Sequence, residues 1–494
     1  MTIEKKQQFE DLIDAMMIEE VAGLDSELKT KLQGLPVDKK RIGILSILDK
    51  DRGLFMKIHN QINSTDFNKT DHIKNVVNMM RDYVKVGEVE KKTLGEVMTP
   101  ISLVNDMLDT LPAEVWKNPN LKWLDPCGGC GIFSSVIIER LMTNLDISES
   151  DEERYRHIVE NMLYVGELQP KNMFLHLCAF DPRDEYSLNV YCGSFLDEGF
   201  DNHMKNVWGV DKFDVIVMNP PYQELKEGNK KSQPLWNKFV VKTIDNLVYG
   251  GYLVAVHPDG WRNIGTMFSD VRNILRSKQL LFLEVHNTDD GIKTFGANTT
   301  YDFYCLHNVQ NSMFTKIKCM DGTTQTVDIL KMEFIPNGMF KEFEKLLAKD
   351  GEEKVQILHS FSDYETRKPH VSKEQNEEFK YPVVYVTYKD GSVNFMYSNT
   401  QEKGHFGTPK VIWSNGGATT PIIDGKGDYA LTQFSYAIVD EPKNLPFIQK
   451  AMLTPEFMKL MSFADGVTGV GRHRYNKKAI SLFRKDFWKE FIDE

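Results

Sequence analysis

The stretch Phe213-Asp214-Val215-Ile216-Val217-Met218-Asn219-Pro220-Pro221-Tyr222 decides how this chain folds. Its first six residues make a short apolar run of the kind that forms a buried strand. The strand must stop where two prolines follow, because each lacks an N–H and fixes its own φ. Left at the strand end are a polar amide, two carbonyls outside any ladder and an aromatic face. That set suits a planar exocyclic amine, whose protons the amide and carbonyl oxygens accept while the ring of Tyr222 stacks on the heterocycle. An ordinary proline turn is the bland reading of these four residues, and the rest of the chain argues against it.

Around this strand, Leu121–Leu124, Leu253–Val256, Leu280–Val285 and Tyr301–Leu306 also read as strands. Trp236, Phe239, Val240, Thr243, Ile244 and Leu247 recur at helical spacing between two of them. Such alternation over residues 91–310 predicts an open α/β sheet with helices on both faces and a ligand at the strands' carboxyl ends. Residues 1–90 show amphipathic helical patterns, as in Phe9, Leu12, Ile13, Met16 and Met17, and predict a helical N-terminal region. From 311 to 494 the apolar alternation shortens; Tyr381–Tyr388 predicts a strand and Lys389–Ser392 a turn.

A second informative segment, Leu124-Asp125-Pro126-Cys127-Gly128-Gly129-Cys130-Gly131-Ile132-Phe133, reads as strand end, glycine-rich turn and helix start. Glycines let the backbone pass close to a ligand, and a helix N-terminus offers free N–H groups to an anion. Downstream, Glu167 in Gly166-Glu167-Leu168-Gln169-Pro170 is placed to accept bonds from ribose hydroxyls, as an acid does in dinucleotide folds. A nicotinamide enzyme would space its glycines differently and has no use for Asn-Pro-Pro-Tyr. Upstream lies Gly95-Glu96-Val97-Met98-Thr99-Pro100, where Thr99 and Pro100 alone would read as a helix cap and first-turn proline.

The chain of 494 residues has room for two or three domains. Its 41% hydrophobic and 27% charged residues are those of an ordinary soluble protein. No apolar stretch approaches the roughly 18 residues a membrane helix needs, so a cytoplasmic location without membrane partner is expected. Six cysteines at irregular spacing predict reduced thiols. Cys127 and Cys130 form a CxxC, but no second close pair completes a zinc site, and no metal is expected. The net charge of -11 argues against coating nucleic acid indiscriminately, while leaving room for a local basic groove. Such a groove is suggested by Arg472, Arg474, Lys477, Lys478, Arg484, Lys485 and Lys489, interleaved with His473, Tyr475, Phe483 and Trp488. A solvated, charged terminal helix is its plain alternative.

Together these segments resemble the gamma-class amino methyltransferases of DNA, specifically the N6-adenine enzymes of restriction-modification systems. In that family a threonine-proline motif, a glycine-rich turn, an acidic ribose motif and (N/D)PPY follow in this order, with a target-recognition domain behind. The resemblance covers residues 91–310 well and the C-terminal region loosely. It implies a Rossmann-like S-adenosylmethionine-dependent methyltransferase domain, a helical N-terminal region and a mixed α/β target-recognition domain from 311 to 494. Asn219, Pro220, Pro221 and Tyr222 would then be catalytic. Thr99, beside Pro100, would hold the donor's methionine carboxylate. Asp125, Pro126, Gly128, Gly129, Gly131 and Phe133 would wrap the donor, and Glu167 would bind its ribose. Ser194 stands where the family often has an aspartate for the donor's adenine, with Phe195 beside it. Phe295 is the candidate for a second ring against a flipped base. Arg472, Arg474, Lys477 and Lys478 would face double-stranded DNA, and a separate restriction endonuclease is a further partner the resemblance suggests.

Other chemistries also use Asn-Pro-Pro-Tyr. Glutamine methyltransferases acting on proteins resemble this segment but are shorter, and ribosomal RNA base methyltransferases are a further alternative. A fused restriction-modification enzyme would need a nuclease carboxylate cluster, which residues 1–90 do not supply. A dead recognition subunit would not need intact Asn219 and Glu167.

Overall fold

The structure, a computed structural model, describes residues 99–181, 185–224, 233–263, 266–415, 419–464 and 475–492. The expected helical region 1–90 therefore lies outside the described residues, as do Arg472 and Arg474. The chain divides into two compact units, the first comprising residues up to 258, 268–284 and 289–316, the second 259–267, 285–288 and 317–494.

In the first unit, helix α1 (Ile101–Leu108) precedes strand β1 (Trp123–Asp125), and α2 (Ile132–Asn144) and α3 (Asp151–His157) lead to β2 (Leu163–Glu167). Next come α4 (Pro170–Phe180), β3 (Asn189–Cys192), α5 (Glu198–Asn206), β4 (Phe213–Met218) and α6 (Trp236–Asp245). The remainder is β5 (Leu247–His257), α7 (Ser269–Ser277), β6 (Lys278–His286), α8 (Thr288–Phe295) and β7 (Tyr301–Gln310). These seven strands lie in the order β3-β2-β1-β4-β5-β7-β6. Strands β1 to β5 pair in parallel, and β7 runs antiparallel to β5, with Val254 opposite Cys305. This is the expected Rossmann-like α/β sheet.

The order shows why β1 and β4 matter. From β1 the chain steps outward through β2 to β3, then returns to start again at β4, on the other side of β1. A crevice opens at such a reversal, at the carboxyl ends of the strands. β1 is buried along its whole length, as are the last four residues of β4. Two-sided burial explains their unbroken apolar character. Helix α2 is buried from Ile132 to Ile138 and packs with Trp123, Val165, Val217 and Val254 into one core.

In the second unit β8 (Thr315–Lys318), which straddles the division, is followed by β9 (Thr324–Val327) and α9 (Phe340–Leu346). Two four-stranded sheets come next. One has the order β10 (Gln356–Leu358), β17 (Ser435–Val439), β14 (Lys410–Ser414), β15 (Ile422–Asp424). The other has β11 (Val371–Ser372), β13 (Val393–Ser398), β12 (Tyr381–Thr387), β16 (Ala430–Leu431). Cross-strand partners Lys410 and Asp424 form a fully buried 2.8 Å ion pair, and Lys410 Nζ also donates to the carbonyls of His405 and Thr408. Helices α10 (Leu445–Met452), α11 (Pro455–Ala464) and α12 (Lys477–Ile480) complete this unit.

Candidate active site

β4 ends at Met218, and Asn219 to Tyr222 leave the sheet at the crevice. The chain then turns back on itself: the N–H of Leu235 donates to Tyr222 O at 3.1 Å, and that of Glu224 to Gln233 O at 2.9 Å. The proline turn is thereby fastened to the start of α6. Trp236, the first residue of that helix, stacks on His257 at the end of β5 with centroids 4.3 Å apart.

On the other side of the crevice, β1 runs into the glycine turn. Gly128 N–H donates to Gly166 O at 2.9 Å, which ties the turn to β2. A Cβ on Gly128 would sit 2.5 Å from Val165 Cγ1. Gly131 has φ 102 and a Cβ there would meet Phe180 and His176 at 2.5 and 2.8 Å, so this glycine serves close packing of α2 against α4. Gly129 differs: at φ 54 a Cβ would meet no atom within 4 Å, and its N–H donates to Glu167 Oε2 at 2.8 Å. Glu167 Oε1 accepts from the N–H of Gln169 at 2.8 Å. Both carboxylate oxygens are thus held by backbone donors, and each retains capacity to accept from a ligand.

These pieces surround one cavity of about 480 Å³, lined among others by Thr99, Gly129, Glu167, Ser194, Asn219 and Tyr222. Pro126, Gly128, Phe133, Phe195, Pro220 and Pro221 also reach it. The volume is that of an ordinary small-molecule site. Pro100, Asp125, Gly131 and Phe295 do not line it. Pro100 caps α1, its carbonyl accepting from Val104 N–H at 3.0 Å. Asp125 lies fully buried beneath the turn, Oδ1 accepting from Cys127 N–H at 3.2 Å, with Oδ2 lacking a partner among the described residues. Burial, reinforced by the charge of Glu167 and opposed by the Cys127 N–H, lifts its carboxyl to about 8.

Asn219 is held by both neighbouring segments. Its Nδ2 donates to Thr99 Oγ1 at 2.8 Å, and its carbonyl accepts from Cys127 Sγ at 3.3 Å. Of the two carbonyls left outside the ladder at this turn, that of Asn219 is thus engaged by the Cys127 thiol. Burial and the nearby carboxylates push that thiol well above its ordinary range. Cys127 went unrecognised in the sequence, where its CxxC spacing drew attention to metal instead.

The aromatic elements divide. Tyr222 is partly buried, its hydroxyl is buried without a partner among the described residues, and burial raises its pKa. Phe295 is buried and meets Tyr222 edge-on, with centroids 6.3 Å apart and planes at 83°. A sandwich needs two near-parallel rings with a gap between them; Phe295 instead supports the tyrosine ring from the core side. Ser194 turns its Oγ onto the N–H of Leu196 at 3.2 Å. Phe195 packs against Phe200, and exposed Asp197 three residues on from Ser194 supplies a carboxylate at the cavity wall that the sequence reading did not assign. Lys238, another unassigned lining residue, is paired with Glu224 at 2.7 Å.

Among the described residues of the basic stretch, three of five cations are paired with carboxylates. Arg484 pairs with Asp486 and with Glu490 at 2.6 Å, and Lys485 with Glu353 at 2.9 Å. Tyr475, Phe483 and Trp488 are buried, Trp488 stacking on Phe447. These rings, interleaved with the cations in sequence, pack within the unit. Lys477 rests over the rings of Phe361 and Tyr436 at 5.1 and 4.5 Å, and Lys478 is exposed.

Residues 140–290 match the model of the Eco57I restriction-modification methylase family. The chain is also similar to an uncharacterized adenine-specific methylase of Mycoplasma pneumoniae, 27% identical over 256 residues. That alignment covers 37% of this chain, which spans 60% of the relative. Among solved structures, the Type IIL restriction-modification enzyme MmeI in complex with DNA aligns with 89% of this chain and 72% of that one. Identity there is 10% and the TM-score 0.47. The M protein of the Type I restriction enzyme EcoKI aligns with 66% of this chain and 82% of that one, at 17% identity and a TM-score of 0.34. Among the described residues no helix is long and apolar enough to cross a membrane.

Proposed function

We propose that this chain is a DNA adenine-N6 methyltransferase that draws its methyl group from S-adenosylmethionine. The observation that carries the reading is one cavity of about 480 Å³ shared by Asn219 to Tyr222, the glycine turn and Glu167. The residues fit such a donor. Gly129 leaves open space above the turn, Glu167 presents a backbone-anchored carboxylate to a diol, and Thr99 faces the same cavity. When bound, the donor supplies an electrophilic methyl on a sulfonium.

The remaining chemistry is positional. An adenine amine is a poor nucleophile because its lone pair is conjugated into the ring. Accepting its protons at Asn219 Oδ1 and Pro220 O favours a pyramidal nitrogen, and no strong base is required. A base inside a duplex must first be flipped out, at a cost of a few kcal/mol. Tyr222, braced edge-on by Phe295, stacks on the extruded ring. The second unit acts as the target-recognition domain, with Lys477, Lys478, Arg472 and Arg474 on the phosphates. The protein works on cytoplasmic DNA, alongside a separate restriction endonuclease.

The test is tritium transfer from labelled donor to a mixed-sequence duplex, followed by nucleoside analysis. N6-methyladenine should form with the wild type and fall by about 10²–10³-fold with Asn219→Ala at saturating donor. Label confined to RNA or to protein, or none on any substrate, would overturn the reading.

A further inference from the structure

Asn219 is not held in place by its own turn alone. Its amide nitrogen is bound by Thr99, 120 residues upstream, and its carbonyl by Cys127 of the glycine turn, 92 residues upstream. Both anchors come from segments assigned to the donor, and both line the cavity. A hydroxyl accepts hydrogen bonds and donates one. Here Thr99 Oγ1 spends acceptor capacity on Asn219 Nδ2, which leaves its own O–H to give. The neighbour best placed to take that proton is an anionic group of the bound donor, such as a carboxylate. Hydrogen bonds in such a chain strengthen one another. The Asn219–Thr99 bond also sorts the two ends of the amide, fixing nitrogen toward Thr99 and oxygen at the opposite end.

We infer that Thr99 is a positioning residue that couples donor occupancy to the orientation of Asn219, with Cys127 as the second anchor. This rests on the function proposed above. Donor binding polarises the Thr99 hydroxyl, tightens its grip on the amide and sets the oxygen for the target amine. The coupling is reciprocal, so loss of the amide must weaken the donor.

A double-mutant cycle on donor affinity tests this, with S-adenosylmethionine as the titrant and calorimetry as the readout. Asn219→Ala should weaken binding by about threefold to tenfold in the wild-type background and by nothing further in a Thr99→Val background. Thr99→Ser keeps the hydroxyl and should restore the dependence of donor affinity on Asn219 that Thr99→Val removes. Cys127→Ala should lower kcat with KM for the donor nearly constant, and Cys127→Ser, which keeps a donor, should recover part of that loss. Independent, multiplying effects of the Thr99 and Asn219 substitutions would overturn the coupling while leaving the proposed reaction intact. Normal coupling without methyl transfer to adenine would sink the proposed substrate alone. A wild type that binds no donor would sink both.

Discussion

Asp125 sits at the end of β1 in a place where a charge is expensive. It is fully buried, one oxygen has a backbone donor and the other has no partner among the described residues. Its pKa rises from 3.8 in the unfolded reference to about 8 in the fold. A raised folded pKa means the contribution to stability is fully present below about pH 4 and is lost as pH climbs through about 8. Four pKa units correspond to a ceiling of about 5 kcal/mol, and relaxation around the site lowers that. Asp125→Asn keeps the acceptor for Cys127 and removes the titration. Urea unfolding of both proteins between pH 4.5 and 9 checks the sign, with pH values spanning the window about evenly. Wild type should lose stability relative to the variant as pH rises, and a constant gap would show that Asp125 stays charged. The sequence marked Asp125 only as part of a donor-wrapping turn, because burial beneath that turn depends on β2 and β4, which are distant in the chain.

At the level of elements, what was legible followed from burial. β4, β5, β6 and β7 are long or two-sided enough to show as apolar runs, and the turn after β12 shows because Asp390 accepts from Ser392 and Gly391 takes φ 84. β3 gave no such signal: among the described strands it pairs with β2 alone, and its burial fades from Asn189 to Cys192. β2 is fully buried but just five residues long, and its Gly-Glu end read as a binding motif rather than a strand. The glycines of the turn looked alike in sequence and are not. Gly131 is constrained by both a positive φ and the rings of α4, whereas Gly129 carries only the φ constraint and opens on the cavity. Gly131→Ala should therefore destabilise the protein by about 2–4 kcal/mol, combining left-handed strain with overpacking. Gly129→Ala should cost about 1–2 kcal/mol. Comparing denaturation midpoints of the two variants decides the matter, and the reverse ranking would mean that α4 yields to the new methyl group.

For the molecule as a whole, the proposed DNA substrate sets an acidic chain, at -11, against a polyanion. Any contact with phosphate must be local, and three of the five described cations of the C-terminal basic stretch already have carboxylate partners. Arg484, Lys485 and Lys489 each have a carboxylate partner. Lys477 and Lys478 have none among the described residues, although Lys477 lies over two aromatic rings, and burial with the neighbouring charge of Lys478 lowers its pKa. Each phosphate neutralised by a lysine releases condensed counterions, so the slope of log affinity against log salt falls by about 0.9 per contact on a duplex. Replacing Lys477 and Lys478 together by Gln should reduce the magnitude of that slope by about two and weaken binding to all sequences alike. Replacing Lys489 should move it much less. Titrating a fluorescent duplex over a range of salt concentrations measures both. An unchanged slope in the double variant would take these lysines off the DNA and leave Lys477 as a cation serving only the packing of Phe361 and Tyr436.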